Sequence, residues 1–402
     1  MTGIDDVARE VGLSTATVSR ALRDLPGVSQ ETRARVVEAA SRLGYVASPA
    51  ASFLAGGQTR TVAIVAPYAT RWYFATVIEG AESVLRESSY DVLLYSLGGD
   101  REARRRVLGS HLLSKRVDGV IIVGIEPTPE EREWLGDHAP PVALVGVTMP
   151  GSPSVRIDDW AAARLGMRHL LELGHHKIGY VGGSDSEPLD FTTPQARLSG
   201  YRDALTEAGI EVRPDYETYG HFTIEGGLAA GHELLTLPDR PTAVMCASDE
   251  MALGVLSAAR DLGLDVPSDV SVVGIDDHVL AAYVGLTTVR QPVTAQGQLA
   301  ATALLELINQ RRTADPPTTA QDTVLPAELM LRSSTARLSA VQPAAGSRRA
   351  RQTWAVSGGN TGSLTPELPS TAPVVATPGP FTQLSPRSRP CWSRVGVSQV
   401  TR

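Results

Sequence analysis

The chain has two cysteines in 402 residues, Cys246 and Cys391. They lie far apart and neither belongs to a Cys-x-x-Cys pair, so the sequence suggests neither a zinc site nor a disulfide framework. No apolar run approaches the roughly 20 residues needed to cross a bilayer. Met1-Thr2-Gly3-Ile4-Asp5-Asp6 lacks a basic n-region and an apolar h-region, which predicts no secretory signal and a reducing cytoplasm as the simplest home. Lysine stands only at 115 and 177; arginine supplies the other cations, a bias of genome composition rather than of chemistry. The sequence has no nucleophile elbow, phosphate loop or metal cluster, and Gly182-Gly183-Ser184 is a mere fragment of a glycine-rich loop. His175 and His176 are adjacent, not spaced i, i+4, and read as loop residues before a strand. These gaps argue against an enzyme and predict no cofactor and no metal.

Hydrophobic content of 42% and charged content of 20% are those of a globular protein, long enough for two or three domains. The most informative stretch is the first sixty residues. Residues 4–11 and 15–22 read as two short helices joined by a tight turn. Ala8 is small where two helices must approach, and Gly12 can take the positive φ of the turn. Ser14 is a good N-cap, and Val18 falls on the face that packs against the first helix. Thr15, Ala16, Thr17, Ser19 and Arg20 then form a small, polar, protruding surface sized for a major groove. The plain alternative is a helical hairpin in an enzyme domain. A third helix at about 30–43 follows, capped by Ser29, striped by Val36, Ala40 and Leu43, and ended by Gly44. Ser48-Pro49 reads as a further helix start and Gly56-Gly57 as its stop; two turns at most are too short to hold alone in water.

Net charge is −7, which looks wrong for a nucleic-acid binder, yet residues 1–60 carry seven Arg against six acidic residues. Phosphate attraction is then local and modest, and useful affinity requires two copies of the head.

From Thr61 the texture changes to alternating strand and helix, with continuous Val/Ile runs such as Val62–Ala66, Gly119–Gly124 and Val270–Ile275. That rhythm predicts parallel sheets covered by helices on both faces. The units are too many for one small sheet, so two doubly wound lobes with a cleft between them are expected, with a final helix near 295–310 crossing back to the first lobe. Residues 339–402 are rich in Ser, Thr, Pro, Gly and Ala, with seven Arg and one acidic residue, and read as a disordered tail.

The chain resembles the LacI/GalR family of ligand-controlled transcription regulators over residues 2–338. The resemblance rests on Asp6-Val7-Ala8, Val18-Ser19-Arg20-Ala21-Leu22, Val28-Ser29, Thr32-Arg33, Val36, Leu43-Gly44-Tyr45 and Leu54. It continues through Arg116-Val117-Asp118-Gly119, Leu173-Gly174-His175, Ile178, Arg197, Gly200-Tyr201 and Asp249 with Met251-Ala252-Leu253-Gly254. Val273-Gly274-Ile275-Asp276-Asp277 and Thr288-Val289-Arg290-Gln291-Pro292 complete it.

The resemblance implies a three-helix helix-turn-helix head (1–45), a hinge helix and linker (46–60) and a bilobal, periplasmic-binding-protein-like part (61–338) for effector binding and dimerisation. It implies a homodimeric repressor on a palindromic double-stranded operator. Thr15, Ala16 and Arg20 would meet base edges; Ser14, Thr17, Ser19 and Thr32 would reach phosphates; Leu54 would wedge into the minor groove. Without a C-terminal leucine heptad a tetramer is not expected. Two positions depart from the family: Ala47-Ser48 stand where Pro-Asn is usual, with Pro at 49, and Ser248 stands where Asn is common.

A cleft that holds a sugar needs charged planar groups to fork onto hydroxyls and aromatic faces to stack on the ring. Arg197 and Asp276 supply the first; Trp72, Tyr73, Phe74 and Phe222 supply the second. Gln291 lies at an expected lobe crossover, and Ser248 and Asp158 complete the expected effector site. An ion pair for Arg197 and Asp276, and a core role for the aromatics, are the alternatives. A transport binding protein of the same bilobal fold fails on the missing export signal and on the head.

Overall fold

The computed structural model describes residues 2–22, 26–45, 59–109, 112–114, 116–137, 140–184, 192–313 and 321–338. Most of the expected hinge, Ser48, Pro49 and Leu54 included, and the expected tail 339–402 lie outside the described residues.

The first helices follow their caps. Helix α1 (Ile4–Val11) starts where the Asp6 carboxylate accepts the Gly3 N–H at 2.9 Å, and stops at Gly12, whose φ is 68°. Helix α2 (Thr15–Leu22) starts where Ser14 Oγ accepts the Thr17 N–H at 3.1 Å. Helix α3 (Gln30–Arg42) starts where Ser29 Oγ accepts the Thr32 N–H at 3.2 Å. Their apolar stripes meet in one small core of Val7, Ala8, Val11, Val18, Ala21, Val36, Ala39 and Ala40. Arg35 ties α3 to the end of α1 by donating to the Val11 carbonyl at 3.2 Å.

Two sheets follow. The first contains β1 (Thr61–Ala66), β2 (Asp91–Ser96), β3 (Gly119–Val123), β4 (Val142–Val145), β5 (Ser154–Ile157) and β11 (Asp322–Leu325). Its order is β11-β5-β4-β3-β1-β2, with every pairing parallel. Helices α4 (Trp72–Glu87), α5 (Arg101–Leu108), α6 (Pro129–Asp137) and α12 (Val293–Thr313) accompany it. The second sheet contains β6 (Ile178–Gly182), β7 (Glu217–Tyr219), β8 (Ala243–Cys246), β9 (Ser271–Asp276), β10 (Thr287–Arg290) and β12 (Glu328–Met330). Its order is β12-β10-β9-β8-β6-β7, parallel except for β10 with β12. Helices α7 (Asp159–Glu172), α8 (Thr193–Glu207), α9 (Ile224–Leu235), α10 (Asp249–Asp261) and the short α11 (Ala281–Val284) belong to it.

Strands covered on both faces read as unbroken apolar runs: Val62 through Ala66 and Gly119 through Val123 are buried throughout. The chain passes between the lobes three times, from β5 to α7, from β10 to α12 and from β11 to β12. Helix α12 returns to the first lobe, as expected, and packs on α4 at very short range. A Cβ on Gly297 would stand 2.1 Å from the Val77 carbonyl oxygen, so only glycine admits that crossing. Strands β5, β10, β11 and β12 and helices α6 and α11 were not foreseen. Among the described residues no helix is long and apolar enough to cross a membrane.

Candidate functional site

The carboxyl ends of the strands in both sheets converge on one cavity of about 80 Å³. Arg71, Tyr73 and Phe74 reach it after β1, Gly124 after β3, Gly146 after β4, and Ile157 and Asp159 at the first crossing. From the second lobe come Thr193, Pro194 and Arg197 on α8, Phe222 after β7, Ser248 and Glu250 after β8, and Asp276 at the end of β9. Gln291 and Gln296 enter at the second crossing.

Arg197 is 4% exposed. Its Nε donates to Asp159 Oδ1 at 2.8 Å, Nη1 donates to the Ala247 carbonyl, and Nη1 stands 3.8 Å from Asp276 Oδ1. Asp276 Oδ1 accepts from Gln291 Nε2 at 2.6 Å, Gln291 Oε1 accepts from Gln296 Nε2 at 2.9 Å, and Gln296 Oε1 accepts from the Tyr73 hydroxyl at 3.0 Å. One polar chain thus runs from α4 of the first lobe to α8 of the second. Asp276 (φ 133°) and Phe222 (φ 53°) hold backbone conformations that side chains rarely adopt, a strain that concentrates at sites where geometry matters.

Behind Asp276, the fully buried Asp249 accepts from the Thr288 hydroxyl at 2.6 Å and from the His278 N–H at 2.8 Å. Burial pushes the Asp249 carboxyl well up, and the Asp276 charge pushes it further. Burial also raises Asp276, with Arg197 opposing. Glu250 is pushed up to about 7, by burial first and by Asp276 second. Burial and the charge of Asp159 raise Tyr73, which stays protonated and able to donate.

Of the residues singled out in the sequence, Tyr73, Phe74, Arg197, Phe222, Ser248, Asp276 and Gln291 line the cavity. Ser248 also caps α10, accepting the Met251 N–H at 3.3 Å. Two lie elsewhere. Asp158 is exposed and caps α7, accepting the Ala161 N–H at 2.9 Å; its neighbour Asp159 takes the inward position. Trp72 faces His278 across the lobes, with ring centroids 4.9 Å apart, and is absent from the cavity wall. Arg71, Asp159, Glu250 and Gln296 were missed, although each follows a strand end within a few residues.

In the head, Ser14, Thr15, Ala16 and Arg20 are exposed, while Thr17, Ser19 and Thr32 are half-buried. Ser14 and Thr17 also pair through their hydroxyls at 2.9 Å, and Ser29 Oγ donates to Thr32 Oγ1 at 2.8 Å. Arg20 folds back, donating from Nη2 to the Pro26 carbonyl at 2.6 Å.

Comparison with known proteins places both parts. Residues 3–48 match the family described as bacterial regulatory proteins, lacI family, and residues 167–335 match the periplasmic binding protein-like domain. The HTH-type transcriptional repressor CytR of Escherichia coli is 35% identical over 341 residues, covering 83% of this chain and 96% of that protein. The lac repressor dimer bound to operator and the anti-inducer ONPF superposes with a TM-score of 0.71 at 28% identity, covering 83% of this chain and 99% of that one. The transcriptional regulator CelR–cellobiose complex superposes with a TM-score of 0.60 at 31% identity, covering 83% and 100%. With a head of this architecture, two lobes around a cavity lined by charged and aromatic side chains, and relatives of this kind, the chain belongs to the LacI family of DNA-binding transcriptional repressors and is not an enzyme.

Proposed function

We propose that the protein binds a palindromic operator as a homodimer and that a small sugar-like effector, held between the lobes, sets its operator affinity. The observation that carries this reading is the cavity itself. The guanidinium of Arg197, the carboxylate of Asp276 and the amides of Gln291 and Gln296, all buried, stand beside Tyr73, Phe74 and Phe222, the equipment for forking onto hydroxyls and stacking on a ring. The chain of hydrogen bonds from Tyr73 to Asp276, continued by the ion pair of Asp276 with Arg197, joins both lobes, so an occupant that inserts into it favours one lobe arrangement over another. CelR was solved with cellobiose and the lac repressor as an operator-bound dimer, which supports both halves of the reading. Val279, Leu280, Tyr283 and Val284 leave apolar surface exposed around α11, a face that a second copy would cover.

The head acts at residues 1–45, with 46–60 as connector and 61–338 as the effector-binding part. Thr15, Ala16 and Arg20 read bases, Arg20 after leaving the Pro26 carbonyl; Ser14, Thr17, Ser19 and Thr32 meet phosphates; Leu54, in the connector, is the minor-groove wedge. The test is retention of a palindromic duplex against bulk competitor DNA. Arg20→Ala removes a guanine-type contact worth roughly 1–3 kcal/mol and flattens sequence preference. Selectivity equal to wild type would show that the head does not read bases through this helix.

A further inference from the structure

On the effector-site reading, the chemistry of the effector follows from how unevenly the charged groups of the cavity are paired. Asp276, when ionised, can only accept, so Gln291 must turn its N–H toward it. Gln291 Oε1 then has to accept from Gln296 Nε2, and Gln296 Oε1 from the Tyr73 hydroxyl. Each bond sets the polarity of the next. The Tyr73 proton is committed to Gln296, and its oxygen presents lone pairs instead. Arg197 directs Nε and Nη2 to Asp159 and Nη1 to the Ala247 carbonyl. Arg71 lies over the Tyr68 ring, 3.8 Å from its centroid.

Glu250 is the exception among the charged groups. It lines the cavity from the first turn of α10, and among the described residues its carboxylate has no hydrogen-bond partner. Three carboxylates, Asp159, Glu250 and Asp276, face two guanidiniums, Arg71 and Arg197, in the cavity wall. An anionic occupant would meet Arg197 already set against Asp159 and Arg71 stacked on Tyr68, in a wall with one more carboxylate than guanidinium. A cationic one would meet a carboxylate that no hydrogen bond holds.

We propose that the effector carries a protonated amine seated against Glu250 and Asp276, with hydroxyls on Tyr73 and the Arg197–Asp159 pair: an amino sugar, not a phosphorylated or carboxylated one. Burial and the nearby Asp276 charge raise the Glu250 carboxyl against the opposing charge of Arg71, so an ammonium there relieves repulsion and drives Glu250 to ionise.

Isothermal titration of the full-length protein at about pH 6.5, where a free carboxylate is ionised, tests this with matched probes. These are D-glucosamine and D-glucose, D-galactosamine and D-galactose, D-mannosamine and D-mannose, with D-glucose 6-phosphate as the anionic probe. In at least one pair the amine binds about tenfold tighter or more, a readily resolved difference, and proton release appears as a binding heat that varies with buffer ionisation enthalpy. Glu250→Gln takes the amine-to-parent ratio toward one, and Glu250→Asp restores part of it. A parent sugar that binds as tightly as its amine, or the phosphate binding tightest, overturns the amine while the carbohydrate reading stands. Failure of every probe to bind overturns both.

Discussion

Replacing Arg197 by leucine tests the charge balance at the centre of the cavity. The substitution removes the donors held by Asp159 and the Ala247 carbonyl and the cation 3.8 Å from Asp276. It leaves Asp159 and Asp276 without the cation set against them, and breaking a buried pair from one side costs roughly 3–5 kcal/mol. At about 2–4 °C per kcal/mol for a domain of this order, the midpoint of ligand-free thermal unfolding should fall by about 10 °C. Arg86→Leu is the comparison: its ion pair with Glu82, at 2.8 Å, is surface-exposed, and such pairs contribute about 0–1 kcal/mol. The deficit of Arg197→Leu also depends on pH. Without the guanidinium, burial holds Asp276 further above its unfolded value, so the variant's stability is retained in acid and lost as pH rises through the folded value. Differential scanning fluorimetry at pH 5 and pH 7.5 should therefore show the smaller gap from wild type at pH 5. A loss no greater than that of Arg86→Leu, or one that does not change with pH, would refute the charge-balance argument.

Three further outcomes are expected. Glu250→Gln should gain on wild type as pH rises from 5 to 8, because the wild-type carboxyl, raised to about 7, favours the folded state in acid and loses that contribution as it ionises; equal pH profiles in unfolding scans would remove Glu250 from the buried charge set. Gln296→Leu should cost roughly 1–3 kcal/mol by leaving the Tyr73 hydroxyl and Gln291 Oε1 unpaired, and adding Tyr73→Phe should recover part of the loss; strict additivity in urea melts would mean that the two are not coupled. Ser14→Ala should weaken α2 by about 1 kcal/mol, seen as faster amide exchange in residues 15–22; unchanged exchange would deny Ser14 its cap.

Caps and two-sided burial made most of the fold legible. Ser14, Ser29, Gly12 and the strand run Val62–Ala66 state their own conformations, and the elements built on them appear within a residue or two of where they were expected. The missing strands carry no such signal. Strand β11 is half exposed and β12 spans three residues, and each forms only because a distant strand offers an edge: β5 for β11, β10 for β12. The cavity was legible where a strand ends on a chemically distinctive residue, as at Asp276. Asp158 and Asp159 differ by one position, and a helix start gives one of two adjacent acids to the cap and the other to the interior, which composition cannot decide. Gln296 was hidden because it reads as an ordinary helix residue until α12 is known to return to the first lobe.

The cavity and the head are expected to be reciprocally coupled. Fluorescence anisotropy should give operator affinity with and without a saturating effector, and titration calorimetry should give effector affinity with and without operator. Both ratios should depart from one by the same factor, as linkage requires. Ratios of one in both directions, for an effector that demonstrably fills the cavity, would contradict this coupling.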